Sequence, residues 1–166
     1  MSSRRVSRRV DPAFHPKEVE GALDASGLRF TVLCSRWNPT ITDALLRTAL
    51  ETLERRGAKA AAVCVVRVPG AFELPVAARI ELSDTKPDAL IVLGAIVKGE
   101  TNHHEVLGHA VASALAALSV ETGHPIGFGL LTCDTMDQAL ERAGKGAEAA
   151  EAAIGIANLK RRRMRR

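Results

Sequence analysis

The sequence predicts a three-layer α/β sandwich built on a four-stranded parallel sheet, and three observations carry that reading. Four short, continuously apolar runs, at residues 30–34, 61–66, 89–97 and 126–131, alternate with segments of helical period. Strands that are apolar throughout belong to sheets covered on both faces, which parallel βαβ crossovers provide. Glycines at 57, 123 and 144 follow the helical segments where a helix stop is expected, so the alternation is punctuated as crossovers require.

Taken in order, residues 1–26 show no periodicity and mix Arg, Ser and Asp with Pro12 and Pro16, which reads as a flexible or extended arm. A single domain over 27–160 and a basic tail over 161–166 complete the division. Phe30 to Cys34 is the first strand. After Ser35-Arg36-Trp37-Asn38, Pro39 suits the first helical position behind an Asn cap, and Ile41, Leu45, Ala49 and Leu53 recur at helical spacing up to Gly57. The second run, Ala61 to Val66, leads through Arg67-Val68-Pro69-Gly70-Ala71-Phe72-Glu73 into a helix ending near Leu82. Ala89 to Val97 is the third strand, and Lys98 to His104 links it to a helix marked by Leu107, Val111, Leu115 and Leu118. Ile126 to Leu131 is the fourth. Asp134 or Thr135 then caps a helix ending at Arg142-Ala143-Gly144, and an Ala-rich helix spans about Lys145 to Lys160. Right-handed crossovers and the usual winding favour the flavodoxin-like strand order 2-1-3-4, reversing between the first and third strands.

At 166 residues and 46% hydrophobic, the chain can hide roughly 70% of its unfolded surface, so no disulfide or metal staple is needed. Cys34, Cys64 and Cys133 are isolated and odd in number, which points to a reducing compartment, the cytoplasm. No apolar stretch reaches the roughly 18 residues of a membrane span, and no secretory h-region opens the chain, so neither membrane nor export is expected. The formal charge of +4 is carried by the ends: Arg4, Arg5, Arg8 and Arg9, then Lys160 to Arg166. Residues 10–159 hold 13 basic against 19 acidic residues, a net −6. Charge on mobile termini reads as solvated ends rather than a nucleic-acid face, and no nucleic-acid partner is expected.

Ligands of open parallel sheets bind beyond the carboxyl ends of the strands, at the reversal of strand order. The unusual segments all fall there. Trp37 and Phe72, two of only five aromatic residues, sit on these loops and can hold a planar heterocycle. Gly99-Glu100-Thr101 precedes a helix whose free N–H groups and positive dipole end suit a phosphate or carboxylate, although an ordinary capped turn explains the same residues. His103 follows, placed for proton transfer near neutral pH. Neither a Walker loop nor a dinucleotide fingerprint is present. His104 and His109 are five apart, off the shared face that a helical zinc pair needs, so no metal is expected, and His15, His104, His109 and His124 read as surface or structural. A phosphoacceptor domain of this architecture would need acids after the first strand and an Asp ending the third. Cys34-Ser35 and Gly94-Ala95 stand there instead.

Four motifs, Ser35-Arg36-Trp37-Asn38, Val68 to Pro75 (VPGAFELP), Gly94 to His103 (GAIVKGETNH) and Leu140 to Gly144 (LERAG), resemble in order and spacing those of the 6,7-dimethyl-8-ribityllumazine synthases, over about residues 28–160. The resemblance implies condensation of 5-amino-6-(ribitylamino)uracil with 3,4-dihydroxy-2-butanone 4-phosphate, releasing phosphate and water without metal or organic cofactor, in the penultimate step of riboflavin synthesis. It implies Trp37 stacking on the pyrimidine, and Asn38, Ala71, Phe72 and Glu73 along its ribityl side. Backbone groups of Ile96 and Val97 would meet the ring edge. Gly99, Glu100 and Thr101 would cradle the phosphate, and His103 would transfer protons. Phe128 and Arg142 would come from a neighbouring subunit of a homo-oligomer, a pentamer or a sixty-subunit capsid. Two departures stand out. His104 occupies a position where many members carry an aromatic, and about five residues are missing before Lys145, which then corresponds to a family lysine near the pyrimidine. A non-catalytic riboflavin or lumazine binder of the same fold is the alternative.

Overall fold

The computed structural model describes residues 14–165, so Arg4, Arg5, Arg8, Arg9, Pro12 and Arg166 lie outside the described residues. The elements are β1 (Phe30–Ser35), α1 (Pro39–Arg55), β2 (Val63–Val68), α2 (Leu74–Asp84), β3 (Ala89–Val97), α3 (His103–Thr122), β4 (Ile126–Cys133), α4 (Met136–Glu141) and α5 (Lys145–Met164). The sheet is parallel throughout, in the order β2-β1-β3-β4. The fold is thus the expected α/β sandwich with its reversal between β1 and β3.

Helices cover the two faces unequally. On one face α1 and α5 bury Ile41, Leu45, Ala149, Ala153 and Ile154 against Phe30, Val32 and Ile91. On the other, α2 and α3 bury Leu74, Ala78, Val111 and Leu115 against Leu33, Leu90 and Val92. Side chains alternate across a strand, so β1 and β3 feed both clusters and are buried along nearly their whole length. The edge strand β2 departs from the expectation of two covered faces: Cys64 and Val65 are exposed. Neither α1, α4 and α5 on one face nor α2 and α3 on the other reach fully across the outermost strand, so Cys64 and Val65 are left to water in a single chain.

Glycine lets α5 approach closely. A Cβ at Gly146 would lie 2.0 Å from the Leu45 carbonyl oxygen, and one at Gly127 would lie 2.0 Å from that of Ala149. Close approach of α5 to α1 and β4 therefore requires hydrogen at both positions.

Several boundaries differ from the sequence expectation. A short 3-10 turn over Ala71–Glu73 precedes α2, which runs on to Asp84. Thr135, not Asp134, caps α4, its Oγ1 accepting the Gln138 N–H at 3.2 Å. Asn38 occupies the cap position of α1 but makes no side-chain cap bond, because its backbone is left-handed (φ 57°) and turns the amide elsewhere. The last helix continues past Lys160 to Met164, so Arg161, Arg162 and Arg163 are helical. Residues 20–26 run beside that helix: Asn158 Nδ2 donates to the carbonyls of Ala22 and Asp24, both at 2.7 Å, and Ala25 is fully buried.

Candidate active site

Strand lengths create the site. β1 pairs with β3 only as far as Cys34 opposite Leu93, whereas β3 continues to Val97 beside β4. The last residues of β3 thus form a ledge beyond the end of β1, at the point where strand order reverses. Asn38 closes part of that ledge, its Nδ2 donating to the Ala95 carbonyl at 2.9 Å. The left-handed turn thus ties the start of α1 to the end of β3 and leaves Trp37 at the rim, 71% exposed.

The loop after β2 is held by its own carboxylate. Glu73 Oε2 accepts the Gly70 N–H at 2.9 Å across the 3-10 turn. A Cβ on Gly70 would lie 3.1 Å from both that oxygen and Trp37 Cδ1, so the indole packs over the glycine beside Glu73. Phe72, 68% exposed, projects from the same turn. Two aromatic side chains left open to water at one rim are poised for a planar ligand.

The loop after β3 offers the opposite polarity. The N–H groups of Gly99, Glu100, Thr101 and Asn102 make no hydrogen bond within the described residues, and α3 begins immediately afterwards. Free donors at the positive end of a 20-residue helix make a site for an anion. His103 opens that helix, its N–H donating to Thr101 Oγ1 at 3.4 Å. His104, read from sequence as surface or structural, is buried, and its Nδ1 lies 3.2 Å from the Thr101 carbonyl. A carbonyl only accepts, so Nδ1 carries the proton and the imidazole pins the anion loop to the first turn of α3.

A cavity of about 470 Å³ gathers these groups. Trp37, Asn38, Gly70, Ala71, Phe72, Glu73, Ala95, Ile96, Val97, Gly99, Thr101, His103, His104 and Leu107 line it. Glu100 stands on the same loop without lining it. A larger cleft of about 610 Å³ opens between α1 and the β2 edge, but its lining pairs internally, Arg67 with Asp43 at 2.7 Å, and no strand-end loop residue of the site reaches it. Cys34, beneath the site, is no ready nucleophile, because burial pushes its thiol up despite the nearby Arg67 guanidinium. Among the described residues no group of three or more His, Cys, Asp or Glu is arranged to hold a metal ion, and no helix is long and apolar enough to cross a membrane.

Against this geometry, the family model of 6,7-dimethyl-8-ribityllumazine synthase matches residues 27–161. The chain belongs to that family. It is 43% identical over 145 residues to the 6,7-dimethyl-8-ribityllumazine synthase of Nitratidesulfovibrio vulgaris strain DP4, covering 84% of this chain and 93% of that one. To the protein of the same name from Desulfotalea psychrophila it is 44% identical over 149 residues, covering 87% and 96%.

Three residues singled out in this lumazine synthase family member lie away from the cavity. Phe128, on the edge strand β4 and 47% exposed, faces grooves along α3. Arg142 follows α4, its guanidinium donating to the Gln138 carbonyl at 3.0 Å. Lys145 opens α5 and pairs with Glu148. The aromatic that many family members carry at position 104 was the one sequence signal separating His104 from His109, and the tertiary fold buries only His104. Gly70 stood inside a motif, but its contact with the indole is a three-dimensional fact.

Proposed function

We propose that the chain is a transferase that condenses 5-amino-6-(ribitylamino)uracil with 3,4-dihydroxy-2-butanone 4-phosphate to 6,7-dimethyl-8-ribityllumazine. One observation supports this above the rest: the aromatic platform of Trp37 and Phe72, the loop residues Gly99 and Thr101 with their unpaired N–H groups, and His103 share one cavity. The pyrimidine stacks on Trp37, with Asn38, Ala71, Phe72 and Glu73 along its ribityl chain and the backbone of Ile96 and Val97 at its edge. Gly99, Glu100 and Thr101 receive the phosphate.

The reaction joins an amine to a ketone, expels phosphate and closes a ring. Holding two reactants in register is worth about 7–11 kcal/mol of barrier, against roughly 3–5 kcal/mol for a well-placed acid–base group. Positioning therefore contributes most, and His103 moves protons between the reacting nitrogen, the carbonyl and the departing phosphate oxygen.

The active enzyme is a homo-oligomer of at least five chains, a pentamer or a sixty-subunit shell, working in the cytoplasm. Phe128 and Arg142 complete the cavity of an adjoining subunit, and Lys145 stands near the pyrimidine, a reading supported by the absence of all three from the cavity lining of their own chain and by the bare β2 edge. Phe128 then covers the ring and Arg142 holds the phosphate.

Mixing purified protein with both substrates and following lumazine absorbance tests the activity; a rate equal to the no-enzyme control refutes it. Co-assembling a Trp37→Ala chain with an Arg142→Ala chain tests the shared site. Recovery of activity above either variant alone is expected, and no recovery refutes the exchange of residues between subunits.

A further inference from the structure

The C-terminal end of α5 carries more positive charge than the fold uses. Lys160, Arg161, Arg162, Arg163 and Arg165 stand within six residues, and the first four are helical. The sequence reading set these cations on a mobile tail, and the helix removes that premise. A helix C-terminus presents about half a negative elementary charge, which a single cation offsets. No side chain of this group forms an ion pair among the described residues. Lys160 Nζ donates to the Gly123 carbonyl at 2.8 Å and Arg162 Nη1 to that of Glu20 at 3.2 Å, both neutral acceptors. Glu20 lines one cavity with Arg161, Arg162 and Arg165, and Asp24 lies within the field of Arg161. Five cations against two carboxylates leave +3.

Geometry concentrates this charge. At roughly 100° per residue, Arg161, Arg162 and Arg165 share an arc of roughly 100°, with Arg163 and Lys160 continuing around the helix. The same three arginines line a cavity of about 340 Å³ with Glu20, Ala22 and Asn158. Its far wall is anchored: Asn158 holds the Ala22 and Asp24 carbonyls, and a Cβ on Gly21 would lie 1.8 Å from the Gly155 carbonyl oxygen. Lys160 reaches Gly123, just before β4 begins, so this surface lies at the opposite rim from the Trp37 cavity.

We propose that this end of α5 binds a flexible phosphodiester strand, a single-stranded RNA, through its phosphates and without regard to base sequence. Planar guanidinium forks match phosphate oxygens in pairs. A net +3 spread around a helix suits a charge repeated along a chain better than one small anion. No aromatic side chain lines the cavity, so there is no platform on which bases would be distinguished.

Fluorescence anisotropy of the full-length protein with a labelled twenty-nucleotide single-stranded RNA tests this. Three phosphate contacts at about −0.7 each give a slope near −2 for log affinity against log salt, or roughly 20-fold weakening from 50 to 200 mM. Arg161→Gln/Arg162→Gln/Arg165→Gln should weaken binding at least about tenfold with lumazine formation unchanged. Should that variant not fold, Arg165→Gln alone should flatten the slope by about 0.7. Equal affinity for oligouridine and a mixed sequence is expected. The proposal is overturned by no binding at 50 mM salt, by binding that survives the triple substitution, by displacement with millimolar inorganic phosphate, or by polyglutamate competing as well as RNA.

Discussion

Replacing Asn38 by alanine should cost more stability than replacing it by glycine, and the order of the two decides whether the left-handed turn at the site is built as described. Asn38 contributes twice. Its Nδ2 donates to the Ala95 carbonyl at 2.9 Å, a bond worth about 1 kcal/mol net. Its backbone sits at φ 57°, ψ 59°, where an ordinary side chain costs roughly 1–2 kcal/mol and Asn or Gly little. Asn38→Ala loses both, about 2–3 kcal/mol in all. Asn38→Gly loses the bond and adds roughly 0.4–1 kcal/mol of unfolded-chain entropy, for about 1.4–2 kcal/mol. Without backbone strain the entropy term would make glycine the worse of the two, so the sign of the difference carries the information. Urea unfolding at matched protein concentration, followed by the fluorescence of Trp37, the sole tryptophan, measures both midpoints. Glycine less stable than alanine would refute the reasoning. Asn38→Asp adds a check on the site: a carboxylate cannot donate to Ala95, so stability should fall despite a backbone that Asp tolerates.

The other expectations concern chemistry and pH. His103→Ala should lower kcat by about 10²–10⁴-fold yet leave turnover above the uncatalysed rate, because positioning outweighs acid–base work; a folded variant with no residual rate contradicts this. Arg142→Ala should raise KM for the phosphorylated ketone about tenfold or more with a smaller change for the pyrimidine, and an unchanged ketone KM removes Arg142 from the phosphate site. His104→Phe keeps the ring and loses the donor to the Thr101 carbonyl, so KM for the ketone phosphate should rise several-fold at nearly constant kcat. Wild-type kinetics would show that the bond does not order the loop. Burial, reinforced by Lys160, holds the His124 imidazole below the usual histidine range, although the Pro87 carbonyl and Asp88 pull the other way. The folded chain then binds fewer protons than the unfolded one, and stability falls as pH drops below the unfolded value of about 6.5 towards the lower folded one. His124→Gln should shrink the loss of urea midpoint between pH 7 and 5; an unchanged loss would assign it to other groups.

Much of this molecule can be read along the chain because its signals are local. Continuous apolar runs mark β1 and β3, since strands covered on both faces are free to be apolar throughout. Pro39 and the helical spacing from Ile41 to Leu53 mark α1, and Gly123 ends α3 in a left-handed turn (φ 60°). The rule that parallel sheets bind ligands at the reversal then places Trp37, Phe72 and the Gly99–Thr101 loop at one rim from the sequence alone. Other features escaped for an equally physical reason. Burial of His104 depends on α3 packing over the ledge of β3, which a neighbouring His103 does not announce. Exposure of Val65 depends on how far the covering helices reach across the sheet, although its run reads like that of β3.

By itself, then, the amino-acid order determined the kinds of element, their succession and the rim that carries the chemistry, because period, capping and turn residues act within a few positions. Only the tertiary structure decided that Asn38 turns its amide to Ala95 instead of capping α1, that β3 overshoots β1 to leave a ledge, and that Phe128 and Arg142 face away from their own cavity. Those outcomes depend on distances between segments 57 or more residues apart in some cases, as with Asn38 and Ala95, and no local pattern encodes such a distance.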